Sequence, residues 1–294
     1  MDTYFWSPLI NRDVHSVSMQ FQYCKSTGTF FVRNFGDSLG KILLCAELGN
    51  LRIRWNFPSR ASIVSTGSIA ETVLQSKSRK LVNLWGTGFK YANFNCALIK
   101  REFKILALRG KLSSENLKLG QQSVVLGDPA LLTSLHYSAS LDSSRSGKLF
   151  IPHFSTSQTK MGREMLAQLE KNKFVICHAG DDIDKIIYSI GRAKVVYSNA
   201  LHPLIVADSL GVPAVRVIGA KSELSEFKYA DYLSVFPESI SWPVVSPGFM
   251  PHNTQSHQVL ISQSMKRLGL IDERIREIQV NLREVLHKWS NSLP

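Results

Sequence analysis

The apolar positions of this chain fall into short runs, each bounded by glycine or polar residues. Residues 61–65 (ASIVS), 80–85 (KLVNLW), 103–108 (FKILAL) and 123–126 (SVVL) are rich in β-branched and large apolar side chains. That is the pattern of strands buried on both faces of a sheet. Between them the sequence predicts helices over 38–48 and 69–75 and another opening near Ser113. The second half repeats the alternation. Strands are expected over 148–151 (KLFI), 174–177 (FVIC), 194–197 (KVVY) and 214–218 (AVRVI). Helices are expected over 161–170, 181–190 and 201–210, the second with acidic residues at its start and the third ended by Gly211. Strands alternating with helices at this spacing imply βαβ units and parallel sheets.

The serine-rich stretch 138–147 (SASLDSSRSG) has no apolar periodicity and marks a boundary. It separates an N-terminal Rossmann-like domain over 1–140 from a C-terminal one over 147–250. After Trp242 the chain reads as loop. In the region 251–294, Leu268, Ile271, Ile275, Ile278, Leu282, Leu286 and Trp289 recur at three- to four-residue spacing. They predict a helical tail over 262–289 packed on the body. With 294 residues, 44% of them hydrophobic, each half can bury a core. Two such halves facing one another make a cleft, and ligands of open α/β sheets bind beyond the carboxyl ends of the strands.

The charge balance adds a constraint on partners. The chain carries 35 Lys and Arg against 23 Asp and Glu, a formal charge of +12. This favours anionic partners. The densest basic cluster, Lys100, Arg101, Lys104, Arg109 and Lys111, has no nucleic-acid-binding signature around it, so anionic small molecules or an anionic membrane face are preferred to nucleic acid. The four cysteines, at 24, 45, 96 and 177, form no C-x-x-C pair and suit a reducing cytoplasm. No signal peptide or membrane-spanning run is read, so any membrane contact is expected to be peripheral. No carboxylate and histidine grouping suggests a metal, and neither a G-x-S-x-G elbow nor a P-loop is present.

Candidate chemistry lies immediately after strands. Asn34, Gly36, Asp37 and Ser38 open the first helix, where free amides can hold an anion, although Asp37 or Ser38 can equally be a simple helix cap. Gly86, Thr87 and Gly88 follow KLVNLW and suit close backbone approach to a phosphate or carboxylate, or merely a sharp turn. Arg109 and Lys111 follow FKILAL as a cationic fork. Gly127, Asp128 and Pro129 read mainly as a turn that starts a helix. His153 follows KLFI and His202 follows KVVY, each able to act as acid, base or anion donor, or to be packed. The segment 226–232, with Lys228, reads as an amphipathic helix.

Taken in order, these pieces resemble the polysaccharide pyruvyl transferase family over residues 4–232. The resemblance is carried by NFGDSLG at the front, TGS at 66–68, WGTG at 85–88, LRG at 108–110, LGDPALL at 126–132, IPHF at 151–154, LHPLIVADSLGVPAV at 201–215 and FKYADY at 227–232. It implies a GT-B-like fold with two Rossmann-like domains across a cleft, the N-terminal one on the acceptor side and the C-terminal one on the donor side. It implies phosphoenolpyruvate as donor, no cofactor, a saccharide acceptor that is often lipid-linked, and a pyruvate ketal as product with release of phosphate. It places Arg109, Leu201 and His202 near the donor. His202, His153 and Asp37 supply proton carriers, and Arg109, Lys228, Lys111, Asn34, Gly36, Gly86, Thr87 and Gly88 supply substrate contacts. Many members carry Arg before the Leu-His pair and Gly after it, where this chain has Ala200 and Pro203. Two readings compete: a GT-B glycosyltransferase using a nucleotide sugar, and a glycan-binding homologue without activity.

Overall fold

A computed structural model describes residues 1–5, 34–49, 52–120, 122–137, 144–218, 226–246 and 254–293. The apolar runs form two parallel sheets. The first contains β1 (Asp2–Thr3), β2 (Arg54–Trp55), β3 (Ile63–Val64), β4 (Val82–Thr87), β5 (Phe103–Leu108) and β6 (Val125–Leu126) in the order β2-β1-β3-β4-β5-β6. The second contains β7 (Ser146–Ile151), β8 (Phe174–Ile176), β9 (Ala193–Ser198), β10 (Ala214–Val217) and β11 (Val244–Val245) in the order β11-β10-β9-β7-β8. Every strand pair is parallel. Two parallel sheets with intervening helices are the α/β architecture expected from the sequence, compatible with two Rossmann-like halves.

The helices of the first half are α1 (Phe35–Leu48), α2 (Ala70–Leu74), α3 (Lys111–Asn116) and α4 (Thr133–His136). Those of the second are α5 (Lys160–Lys171), α6 (Ile183–Arg192), α7 (Leu201–Ser209) and α8 (Glu226–Leu233), followed by α9 (Thr254–Ser290). Asp182 caps α6 by accepting from the amides of Asp184 and Lys185. The chain leaves α7 through Gly211, whose φ of +62° suits the left-handed turn that stops a helix. α7 is apolar nearly all round because it is sandwiched between layers. Leu201, Leu204, Ile205, Val206 and Ala207 are all buried.

One continuous apolar cluster crosses from one half to the other, taking in Leu39 and Leu43 of α1, Trp85 of β4, Ile186 of α6, Leu204 of α7 and Tyr232 of α8. α9 contributes Ile271, Ile275, Ile278, Leu282 and Leu286 to the same cluster, and its Leu282 carbonyl accepts a hydrogen bond from Trp85 Nε1 at 3.0 Å. The helix therefore braces both sheets. It begins at Thr254, eight residues before the expected start, because the polar run after 254 carries inward-facing His257 and Ile261. Most of the serine-rich boundary, 138–143, lies outside the described residues. Among the described residues no helix is long and apolar enough to cross a membrane.

A buried ion pair pins α9 to the second half. Arg267 grips both oxygens of Asp208, at 2.5 and 2.9 Å, and Asp208 also accepts from Trp242 Nε1 and Tyr232 Oη. Replacing Asp208 with Ala would leave a guanidinium, an indole and a phenol unpaired in the core. The expected loss is about 3–5 kcal/mol. Asp272→Ala removes an exposed i,i+4 pair with Arg276 and should cost about 1 kcal/mol or less. Urea unfolding of the two variants tests this, and equal losses would contradict it.

Candidate active site at the junction of the two sheets

Parallel strands deliver all their following loops to one edge. From the first sheet come the 65–68 loop after β3, 88–89 after β4, Arg109 and Gly110 after β5, and Gly127 and Asp128 after β6. From the second come His153 after β7, Asn199 and Ala200 after β9, and Arg216 near the end of β10. The starts of α1 and α7 and one face of α8 meet these loops.

Several expected ligand contacts are spent on holding this junction together. The Arg109 side chain is fully buried. Its Nε donates to Asp231 Oδ2 at 2.9 Å, Nη1 to Ser68 Oγ at 2.8 Å and Nη2 to the Phe89 carbonyl at 2.7 Å. Asp231 also accepts from the Ser113 amide at 2.8 Å and the Ser113 hydroxyl at 2.6 Å. Gly88 lies against this guanidinium: a Cβ there would come within 2.5 Å of Arg109 Cζ. Gly86 has φ +77°, and a Cβ on it would strike Pro129 at 2.1 Å. Thr87 donates to the Gly67 carbonyl at 2.9 Å. The GTG segment thus faces packed protein, not open space, and Leu201 lies in the core. Lys111 is exposed at the start of α3, its amide donating to Ser234 Oγ at 2.8 Å. The sequence shows a strand-end arginine but not the carboxylate 122 residues away that claims it.

The remaining expected residues do converge. Asn34 Nδ2 donates to Asp37 Oδ2 at 2.6 Å in the first turn of α1. Gly36 is where α1 meets α7: a Cβ on it would lie 1.9 Å from His202 Nδ1, so only glycine lets the imidazole settle there. The other ring nitrogen, His202 Nε2, points toward Asp128 Oδ2 at 3.7 Å. Both atoms are buried without a hydrogen-bond partner. Asp128 uses its Oδ1 to cap the turn, accepting from the Ala130 amide at 2.9 Å. On the second sheet, Asn199 Oδ1 accepts from the His153 amide at 2.6 Å, and His153 Nδ1 pairs with Ser155 Oγ at 2.7 Å.

Lys228 on α8 is half-buried and close enough to Asp37, His202 and His153 to act on the charge of each, and Arg109 acts on Lys228 in turn. Arg216, which the sequence reading did not single out, joins it. Its guanidinium lies 3.8 Å from the Tyr229 ring and bonds Glu226 at 2.5 Å, while its Nε is buried and unpaired. An arginine alternating with apolar residues in AVRVI was the available signal. Among the described residues no three His, Cys, Asp or Glu side chains group so as to hold a metal ion.

Burial dominates the electrostatics. It raises the Asp37 carboxyl to about 7, with Lys228, Arg109 and the Asn34 hydrogen bond pulling the other way. Asp128 is raised to about 7 for the same reason. Burial and neighbouring cations lower both His202 and His153 to about 3, so both imidazoles are neutral at pH 7. Lys228 is lowered to about 8 by burial and Arg109. The junction thus offers a carboxyl able to give up a proton near neutrality, neutral imidazoles and a cationic wall.

Strand-end loops of an α/β protein that gather cations around protonatable groups have the chemistry to hold an anion and move protons. The chain belongs to the polysaccharide pyruvyl transferase family, whose profile matches residues 18–222, well over half of its length. It is accordingly of a transferase type associated with polysaccharide biosynthesis. A protein described only as uncharacterized, from Acanthamoeba polyphaga mimivirus, is 24% identical over 224 residues, covering 70% of this chain and 73% of that protein.

The raised Asp37 carboxyl has a consequence for stability. A carboxyl at about 7 in the folded state and ~3.9 unfolded binds its proton more tightly when folded. Folding is then favoured below the unfolded value and loses stability as pH rises through 7. Asp37→Asn mimics the neutral form. Its melting temperature should exceed that of the wild type by more at pH 8 than at pH 5, measured by thermal denaturation. A difference independent of pH would contradict the assignment.

Proposed function

We propose that this protein is a cytoplasmic pyruvyl transferase that moves the enolpyruvyl group of phosphoenolpyruvate onto a saccharide, lipid-linked in the cell, to form a pyruvate ketal. In this reaction two sugar hydroxyls add to C2, C3 gains a proton and phosphate leaves. One hydroxyl proton replaces the proton delivered to C3, and the other departs with phosphate. The observation that carries the reading is the convergence of a carboxyl poised near neutrality, Asp37, with neutral His202 and cationic Lys228.

The roles follow from charge state. Asp37, part-protonated at pH 7, is the acid for C3. Neutral His202 accepts the proton of the attacking hydroxyl, and His153 stands in reserve on the second sheet. Lys228 and Arg216 clamp the carboxylate and phosphate of the donor. Arg109 adds positive potential from behind and holds α8 through Asp231. Asn34 orients Asp37, and Gly36 admits His202. The two halves are read as GT-B-like, with the donor on the α7 and α8 side.

Phosphate release from phosphoenolpyruvate that depends on an added saccharide, with the matching mass gain on the saccharide, tests the reading. His202→Gln should lower the rate by roughly 10²–10⁴-fold with melting temperature little changed, and Asp37→Asn should lower it as much while melting no lower than the wild type. Lys228→Ala should act on KM for phosphoenolpyruvate as well as on kcat. Turnover of a nucleotide sugar and none of phosphoenolpyruvate would overturn it.

A further inference from the structure

The turn residue Asp128 stands apart from the other buried acids of the junction. Its Oδ1 is fixed by the Ala130 amide, and its Oδ2, fully buried, faces a histidine nitrogen that is equally without a partner. Two complementary orphans 3.7 Å apart are an incomplete hydrogen bond, since leaving either buried and unpaired is costly. The gap closes with a sub-ångström approach or a bridging water. The ring has little freedom elsewhere, because Gly36 packs against its Nδ1 edge.

We propose that Asp128 and His202 form a dyad in which Asp128 is a positioning residue: its carboxylate receives the Nε2–H of His202, fixing the tautomer that leaves the Nδ1 lone pair free to accept a proton. This rests on the transferase reading for its use in catalysis, but the pairing itself does not. Burial raises Asp128 to about 7 and, with Arg109 and Lys228, lowers His202 to about 3, so above pH 7 a carboxylate faces a neutral imidazole. The charged groups that act on the ring are Arg109 at the end of β5 and Lys228 on α8, with Asp128 facing Nε2; Asp231 on α8 acts on Asp128, and Asp128 on Asp37 of α1. Burial, Arg109 and Lys228 oppose protonation of the ring, and the carboxylate that faces its Nε2 is that of Asp128.

The helix-start role of Asp128 makes a clean test available. In Asp128→Asn the side-chain oxygen still caps Ala130, and asparagine is as good a cap as aspartate. That fixes its amide so that the NH₂ faces Nε2, which must then accept. Imidazole ¹⁵N shifts at pH 8, with His202 assigned by the signal lost in His202→Gln, should show Nε2–H in the wild type and Nδ1–H in Asp128→Asn. Between pH 6 and 8 the wild-type shifts should also change near pH 7 as Asp128 takes up its proton, and the variant's should not. The same tautomer in both proteins, with no step near pH 7, overturns the dyad whether or not turnover of phosphoenolpyruvate is found. Where turnover is found, Asp128→Asn should lower kcat by roughly 10²-fold or more. Combined with His202→Gln it should cost nothing further. Additive losses would mean that Asp128 acts apart from His202.

Discussion

The junction depends on one buried ion pair, Arg109 with Asp231. A guanidinium and a carboxylate taken wholly out of water are tolerated only when the remaining donors and acceptors are also paired. Ser68, Phe89 and Ser113 do this. The pair joins the end of β5 to α8, and so one half to the other. It also dictates local sequence. Gly88 must lack a side chain to pass the guanidinium, and Gly110 must lack one because a Cβ would lie 1.7 Å from the Asp231 carbonyl oxygen. Asp231 stands three residues after Lys228, on the same face of the helix. Fastening Asp231 therefore aims Lys228 at the junction. A structural lock thus sets the position of Lys228.

The same desolvation that makes the lock expensive sets the chemistry beside it. Burial pushes Asp37 and Asp128 toward their neutral forms and both histidines away from their charged ones, while Arg109 and Lys228 keep the local field positive. The junction is consequently a set of weakly charged groups around fixed positive ones. In the proposed reaction the donor's phosphate and carboxylate would offset the share of the displacement that Arg109 and Lys228 contribute at His202. On that proposal the ligand raises the affinity of the imidazole for a proton as the sugar hydroxyl loses one.

Much of the framework was legible because buried parallel strands announce themselves. The run FKILAL is β5 residue for residue, and the expected helix over 201–210 differs from α7 only at its last residue. The two-residue strands β1, β2 and β11 were missed, being too short to show any period. Site chemistry was less legible for a different reason. Sequence reveals that a glycine is present but not what occupies the space of its missing Cβ. At Gly36 that space belongs to His202, at Gly88 to Arg109 and at Gly86 to Pro129. Only the first of these is an arrangement of site residues. Asp128 shows the same limit in reverse: it is a turn residue as read, and only its second oxygen, aimed across the junction, gives it another use.

The departures at Ala200 and Pro203 can be understood at the same level. Ala200 offers no side-chain charge or cap to the start of α7, and Pro203 removes one of the amides that a helix N-terminus presents to an anion. The register of the second sheet supplies a substitute. β10 lies beside β9 with Arg216 opposite Ser198, two residues before Ala200. From that position the Arg216 side chain runs to α8, where it pairs with Glu226. Tyr229 holds its guanidinium by stacking, and the Tyr229 hydroxyl is anchored on the Asn199 carbonyl at 2.9 Å. A positive charge moved from a loop to a strand end is held by backbone pairing on one side and an aromatic face on the other. It is better fixed in direction than a loop residue, and less able to follow a ligand that shifts during the reaction. Donor binding in this chain is therefore expected to rest on rigid placement at Arg216 and on Lys228, with the shortened set of α7 amides contributing less.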